Sequence, residues 1–313
     1  MRAVTIVEGD LRWAEHPDPT PGDNDLLVEV RAAGVNAGDL MQRLGFYPPP
    51  PGFPVDIPGM ELAGEVVAVG RRAHRYDVGD RVMAVVGGGA QADLALVDED
   101  AALPVPRDLP WAEAGGFPEA FTTAHDALFT RCGLGPGERV LVTGAAGGVG
   151  VAAVQLAAAA GARPVASVRR AELRDPVAAL GAVAAADPED ALTLGPFDVA
   201  MELVGGPGFI GVLGALATEG RVAVIGVGAG ARVEVDLLSL MRGRAHVTAS
   251  TLRPRSRVEK AAVAARVESQ VVPLLRAGRV RVPLAATFPM EQASDAYERF
   301  AQPGKLGKIV LVT

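Results

Sequence analysis

The stretch Gly144-Ala145-Ala146-Gly147-Gly148-Val149-Gly150 is the part of the chain best suited to chemistry. Apolar Val140-Leu141-Val142-Thr143 precedes it, and Val149 to Ala160 follows with the composition of a helix that stops at Gly161. A glycine turn between a strand and a helix lets the backbone come close to a pyrophosphate. The helix start then supplies free N–H groups and the positive end of its dipole. The spacing of Gly144, Gly147 and Gly150 is one residue off the usual Gly-x-Gly-x-x-Gly, but the strand before it and the βα units after it point to a dinucleotide. Folds that favour a free ribose 2′-hydroxyl carry an acid at the end of the second strand. Here that place reads Ser167-Val168-Arg169-Arg170. Guanidinium forks suit phosphate oxygens and Ser167 can add a hydrogen bond, so NADPH is expected over NADH. The plainer reading of Arg169 and Arg170 is a pair of solvated surface charges.

These residues need a frame. From the start to about residue 110 the chain is rich in Val, Gly, Pro and Asp. Leu26 to Val30, Glu65 to Val69 and Asp80 to Val85 read as short strands, as does Met1 to Asp10. From about residue 111 the texture changes. Helices are expected over Trp111–Phe129, Val149–Ala160, Ala171–Leu180 and from about 258 to Arg276. Strands are expected over Val165–Val168, Phe197–Leu203, Arg221–Ile225, His246–Ala249 and Lys308–Val312. Strands separated by helices mean a doubly wound parallel sheet. The expected organisation is a β-rich domain over 1–115 and 259–313, with a cofactor domain over 116–258.

Composition narrows the partners. The 313 residues carry a net charge of −7, with a pI of about 5.2, which disfavours nucleic acid or an anionic membrane as the main partner. The single cysteine, Cys132, excludes an internal disulfide and a cysteine-rich zinc site, and a buried, inert thiol is its expected state. No signal-like apolar segment opens the chain. Val149 to Ala160, the longest apolar run, is short for a membrane span and contains Gln155, so a cytoplasmic protein is expected.

Beyond these features the sequence resembles a known family. Ala32-Ala33-Gly34-Val35-Asn36-Ala37-Gly38-Asp39-Leu40 resembles the Asn-containing segment of the zinc-free quinone oxidoreductases, within the medium-chain dehydrogenase/reductase superfamily. Tyr47-Pro48-Pro49-Pro50-Pro51-Gly52, Pro58 to Gly64, Ser250-Thr251-Leu252-Arg253 and Gly307 to Leu311 fit the same family, as does the glycine turn. The resemblance covers almost the whole chain. Several segments look closest to the subgroup that includes the tumour-suppressor-inducible quinone oxidoreductase. One departure stands at Ala191 to Pro196, where the usual longer helical stretch is trimmed.

The resemblance implies a GroES-like β-rich catalytic domain joined to a Rossmann cofactor domain, with the nicotinamide between them. Asn36 would hydrogen-bond the ribose or a substrate carbonyl. Tyr47 would flank the substrate as a stacking surface or hydroxyl donor, unless it is a loop aromatic packed on the prolines. Met60 and His125 would line the pocket. Thr123, Gly205, Gly226, Val227, Thr251, Leu252 and Arg253 would contact the cofactor; Lys308 belongs either there or on the surface. Zinc-dependent relatives place Cys in the segment Val35–Asp39 and His after Gly59. Asn36 and Met60 are poor zinc donors, His16, His74, His125 and His246 are scattered, and no metal is expected. Without a Lewis acid, substrates that accept hydride readily remain: a quinone first, a conjugated enone second. The alternative of another class is a low-turnover NADPH-binding structural or regulatory protein. Arg244 to Ser250 reads as an exposed edge strand, for which relatives supply a second copy, so a homodimer is expected.

Overall fold

A computed structural model describes all of residues 1–313. The chain divides into two compact units, Met1–Thr122 with Leu252–Thr313, and Thr123–Thr251. The sequence reading placed the seams at 115/116 and 258/259. The first division, 122/123, falls inside the helix Pro118–His125. The second moves because Leu252 and Arg253 are buried in the first unit, 7% and 3% exposed.

The first unit is built on a seven-stranded sheet. Its central strand, Asp25–Val35, alternates buried and half-buried residues along its first half and is wholly buried from Ala32 onward. The alternation is that of a strand with one face on a core; Leu26, Val28 and Val30 meet Leu62, Val66 and Val82 there. Beside it run Glu61–Val69 on one side and Lys308–Val312 on the other, both antiparallel to it. These two neighbours bring Glu61 and Lys308 to the same end of the strand, opposite Val35 and Asn36. A separate hairpin pairs Arg2–Val7 with Asp10–Glu15. Its turn residues Glu8 and Gly9 both have positive φ, 53° and 87°, the geometry that matches strand twist in two-residue hairpins.

The second unit holds six strands, all parallel: Ala184–Ala186, Arg163–Ser167, Arg139–Val142, Phe197–Glu202, Leu216–Val224 and His246–Ala249, in that spatial order. In chain order this is 3-2-1-4-5-6, the doubly wound arrangement whose winding reverses between the first and fourth strands. Ligands in such sheets bind beyond the carboxyl ends of the strands at that reversal. The glycine turn follows the first strand and Leu203 follows the fourth.

Three helices differ from expectation. Trp111–Phe129 is not one helix. Gly115, Gly116 and Pro118 break it into Trp111–Gly115 and Pro118–His125, followed by a wider turn over Asp126–Arg131. Ala171–Leu180 shrinks to Arg174–Ala178 behind a single 3-10 turn. The helix expected from 258 is Arg257–Gln270 and then Val272–Arg276, interrupted ahead of Pro273. Gly148–Ala159 ends ahead of Gly161, whose φ of 78° is that of a helix cap. No helix is long and apolar enough to cross a membrane.

Candidate active site

Candidate residues occur in each unit. In the second unit, Gly144 has φ 59° and turns the chain off the strand Arg139–Val142. Gly147 caps the helix Gly148–Ala159, whose first-turn N–H groups have no intrahelical acceptors. A Cβ at Gly150 would lie 2.5 Å from the Gly144 carbonyl oxygen and 2.6 Å from Ala145 Cα. Only glycine lets the helix start sit this close to its own loop. Ala146, Gly148 and Val149 are partly exposed at the tip of the turn.

Two residues that sequence reasoning missed hold this region. Glu202, 1% exposed, ends the fourth strand. Its carboxylate accepts hydrogen bonds from Thr143 Oγ1 (3.0 Å) and from the Val204 and Gly205 N–H groups (2.7 Å each). Thr143 in turn accepts from the Leu203 N–H at 2.8 Å. The pair ties together the carboxyl ends of the two strands at the reversal. Gly205 and Gly226 stand in two loops that pack backbone to backbone, with Gly206 N–H donating to Gly230 and Ala229 N–H to Val204, each at 2.8 Å. Val227 is half exposed beside them.

Ser167 is buried at the end of its strand, and its carbonyl accepts from the Ala145 N–H at 3.2 Å, joining the second strand to the glycine turn. Arg169 and Arg170 are exposed. Arg170 pairs with Glu172 at 2.9 Å. A third arginine lies beside them that sequence reasoning did not single out: Arg174 donates to the Val168 carbonyl at 3.2 Å and sits 3.6 Å from Asp187.

Thr123 is 8% exposed. His125 is 2% exposed and packs on Phe129 at 5.1 Å between ring centroids. Its side chain is thus enclosed, against a residue of its own unit. Thr251 is exposed. Cys132 is buried, and burial pushes its thiol up to about 11, so the expected inert state fits.

In the first unit, Asn36, Asp39, Glu61 and Lys308 form one buried cluster. Lys308, 4% exposed, donates to Glu61 Oε1 (2.6 Å), Asn36 Oδ1 (2.6 Å) and the Val35 carbonyl (3.4 Å). All three of its N–H bonds are engaged, so a surface position does not describe it. Glu61 is fully buried; its other oxygen accepts from the Glu119 N–H at 2.8 Å. A Cβ at Gly34 would lie 2.1 Å from Glu61 Oε1, so glycine alone leaves space for the carboxylate.

This cluster fixes the Asn36 amide. Nδ2 donates to Glu61 Oε1 at 2.9 Å and to the Gly34 carbonyl at 3.4 Å, while Oδ1 faces the Lys308 ammonium. An ammonium only donates and a carboxylate only accepts, so the amide cannot be turned round. Asn36 has one lone pair left and no N–H. In this arrangement it can accept a hydrogen bond from a ligand hydroxyl or amide, while its N–H groups are already engaged.

Asp39 is fully buried, with its oxygens accepting from the Asn36 N–H at 2.8 Å and the Gly59 N–H at 3.1 Å. Burial pushes its carboxyl up to about 7, against those two N–H groups and the charges of Lys308 and Arg253. Tyr47 is half-buried, and with Met60 it covers Gly38: a Cβ there would lie 2.8 Å from Met60 Sδ and 3.2 Å from the Tyr47 ring. Met60 is 5% exposed.

Comparison with known proteins gives these positions a context. Residues 22–107 match the alcohol dehydrogenase GroES-like domain, and residues 178–311 match the family described as zinc-binding dehydrogenase. A chloroplast envelope quinone oxidoreductase homolog of Arabidopsis thaliana is 30% identical over 318 residues, covering 96% of this chain and 93% of that protein. This chain belongs to the quinone oxidoreductase family of the medium-chain dehydrogenases/reductases. It is therefore an oxidoreductase, with a GroES-like domain and a Rossmann-like parallel-sheet domain. Among solved family members, the quinone oxidoreductase of Thermus thermophilus is 33% identical, with a TM-score of 0.85 over the full length of both chains. A synaptic vesicle membrane protein VAT-1 homolog-like of mouse is 39% identical over 160 residues; that match spans 50% of this chain and 38% of that protein.

The matched description raises the question of zinc, and the donors present do not suit it. No group of three or more His, Cys, Asp or Glu side chains converges anywhere in the chain. Asn36 and Met60 are poor zinc donors, and the Glu61 carboxylate beside Asn36 is already paired with Lys308 at 2.6 Å.

Proposed function

We propose that this oxidoreductase is a zinc-independent NADPH:quinone reductase. The observation that supports the reading is the Lys308–Glu61–Asn36 cluster, in which the groups available to a metal are an amide and a carboxylate already paired with an ammonium. With no Lewis acid available, the acceptor must take hydride without metal help, which favours a quinone. The Thermus thermophilus relative has been solved as a complex with NADPH, which supports the same cofactor here.

The residues of the second unit fit that cofactor. The turn Gly144–Gly150 and the helix start would hold the pyrophosphate, and Ser167, Arg169 and Arg170 the 2′-phosphate. Thr123, Gly205, Gly226 and Val227 would lie along it, with Thr251 and Leu252 at the following link. When bound, the reduced nicotinamide supplies the hydride. Asn36, an acceptor only, would hold a hydroxyl or the carboxamide of the cofactor. Tyr47 and Met60 would form the apolar wall against which a quinone lies flat. Quinone oxygens take their protons from water, so no buried acid is needed.

The cofactor assignment has a sharp test. Arg169 has no acidic partner, whereas Arg170 already faces Glu172. Removing a charge-assisted phosphate contact costs about tenfold or more in affinity. Arg169→Ala is therefore expected to weaken NADPH binding by about that factor, with Arg170→Ala weaker in effect and NADH binding barely changed. Calorimetric titration with both cofactors measures this; equal losses for NADPH and NADH would remove the arginines from the phosphate.

The same reading includes a homodimer. His246–Ala249 is the edge of the parallel sheet, paired on one side only with Leu216–Val224. Val247 on it is 49% exposed, and nearby in sequence Leu237 and Met241 are 69% and 73% exposed. An open edge flanked by apolar residues needs a cover, and a second copy provides one. Light scattering at micromolar protein should give twice the chain mass. The mass of one chain at that concentration would contradict the proposal.

A further inference from the structure

Arg253 is buried yet touches no acid. Its guanidinium is 3% exposed and spans three acceptors: Nε donates to the Gly87 carbonyl at 2.7 Å, Nη1 to the Tyr47 carbonyl at 2.7 Å, and Nη2 to Gln42 Oε1. Its Cζ also lies 4.9 Å from the centre of the Tyr47 ring. Gln42 passes the restraint on, donating from Nε2 to the Val55 carbonyl at 3.1 Å. Gly88 leaves the space: a Cβ there would lie 3.5 Å from Arg253 Nη2. One side chain thus grips Tyr47 by backbone and ring face and ties it to Gly87 and, through Gln42, to both ends of the loop 44–55.

Elsewhere the loop is held by Phe53, which packs on the core, and by the Tyr47 N–H, which donates to the Met41 carbonyl at 3.3 Å. Leu44, Phe46 and Val55 remain 62%, 72% and 74% exposed, and the run Pro48 to Pro51 offers no backbone N–H groups. Arg253 adds a restraint on Tyr47 from outside the loop. A planar fork with donors on several edges can do so, and a lysine cannot.

We infer that Arg253 is the positioning residue of Tyr47: it acts on the reaction by holding the ring over Gly38, not by contacting the cofactor. The inference rests on the proposed place of Tyr47 beside the acceptor, and the two are separable by experiment. Arg253→Lys keeps the charge and loses the fork. Limited proteolysis with chymotrypsin reads the loop directly, at Leu44 and Phe46, whatever Tyr47 does in turnover. Cleavage is expected to rise about tenfold, because the loop opens locally without global unfolding. In parallel, kcat/KM for a quinone should fall about tenfold through misplacement of the ring. In a Tyr47→Ala background the same arginine change should cost less than about twofold, since its effect passes through the missing ring. NADPH affinity should stay within about twofold, as no phosphate contact is lost. Gln42→Leu, which removes one acceptor only, should move cleavage and kcat/KM the same way by less, and serves if Arg253→Lys does not fold. Unchanged cleavage in both variants, or an equal kinetic loss in both backgrounds, overturns the inference. Raised cleavage together with full turnover by Tyr47→Ala overturns the proposed role of Tyr47 itself.

Discussion

Replacing Lys308 by Met should destabilise the protein by about 3–5 kcal/mol, the usual cost of removing one partner of a buried ion pair. The pair is inaccessible to water on both sides: the Lys308 side chain is 4% exposed and Glu61 is fully buried. Without the ammonium, Glu61 and Asn36 Oδ1 each lose their strongest partner, and no solvent can replace it. The carboxyl must then take up a proton or carry an unpaired charge in the core. For a domain of this size such a loss lowers Tm by roughly 6–20 °C. The apolar stem of Met fills the lysine channel, so the cost is electrostatic and not a cavity. Glu61→Gln in the same chain should recover part of the loss, because the second change removes the stranded charge. A Lys308→Met protein that melts within about 2 °C of the parent would mean that the cluster contributes little, and the proposed barrier to metal binding would go with it.

The second large effect separates two acceptor classes. Tyr47→Phe keeps the ring that lies against Arg253 and beside Gly38 and removes only the hydroxyl. A reduced quinone is protonated on oxygen, and water can do that. A reduced enone must receive its proton on carbon, and a positioned acid is worth about 10²-fold or more in that step. Asn36 cannot serve, since both its N–H bonds are taken. Tyr47 is the candidate donor beside that cluster. Turnover of quinones should stay within a few-fold, while any enone activity should fall by about 10²-fold. A loss of that size with quinones as well would assign the hydroxyl a part in quinone reduction that the present account does not give it.

What the sequence disclosed follows from how local each feature is. The glycine turn, its strand and its helix lie within a run of about twenty residues, so their order alone suggested a dinucleotide site. The parallel sheet was legible because its strands are short Val-rich runs separated by Ala-rich helices. Helix ends fared worse at 111–129, where two glycines and a proline interrupt an otherwise helical composition. The clusters that hold the candidate site were beyond reach. Lys308 and Glu61 lie 247 positions apart, and Thr143 and Glu202 lie 59 apart. Nothing in the neighbourhood of either residue signals its partner, and only sheet register brings them together. Gly34 is the one local trace of the cluster, since a side chain there would collide with the Glu61 carboxylate.

The most direct test of the central claim is NADPH oxidation by protein stripped with a strong chelator, with metal content measured on the same sample. The account predicts less than about one zinc per ten chains, full turnover with a quinone panel, and slower turnover with conjugated enones and simple ketones. Activity that disappears on chelation and returns with stoichiometric zinc would contradict it.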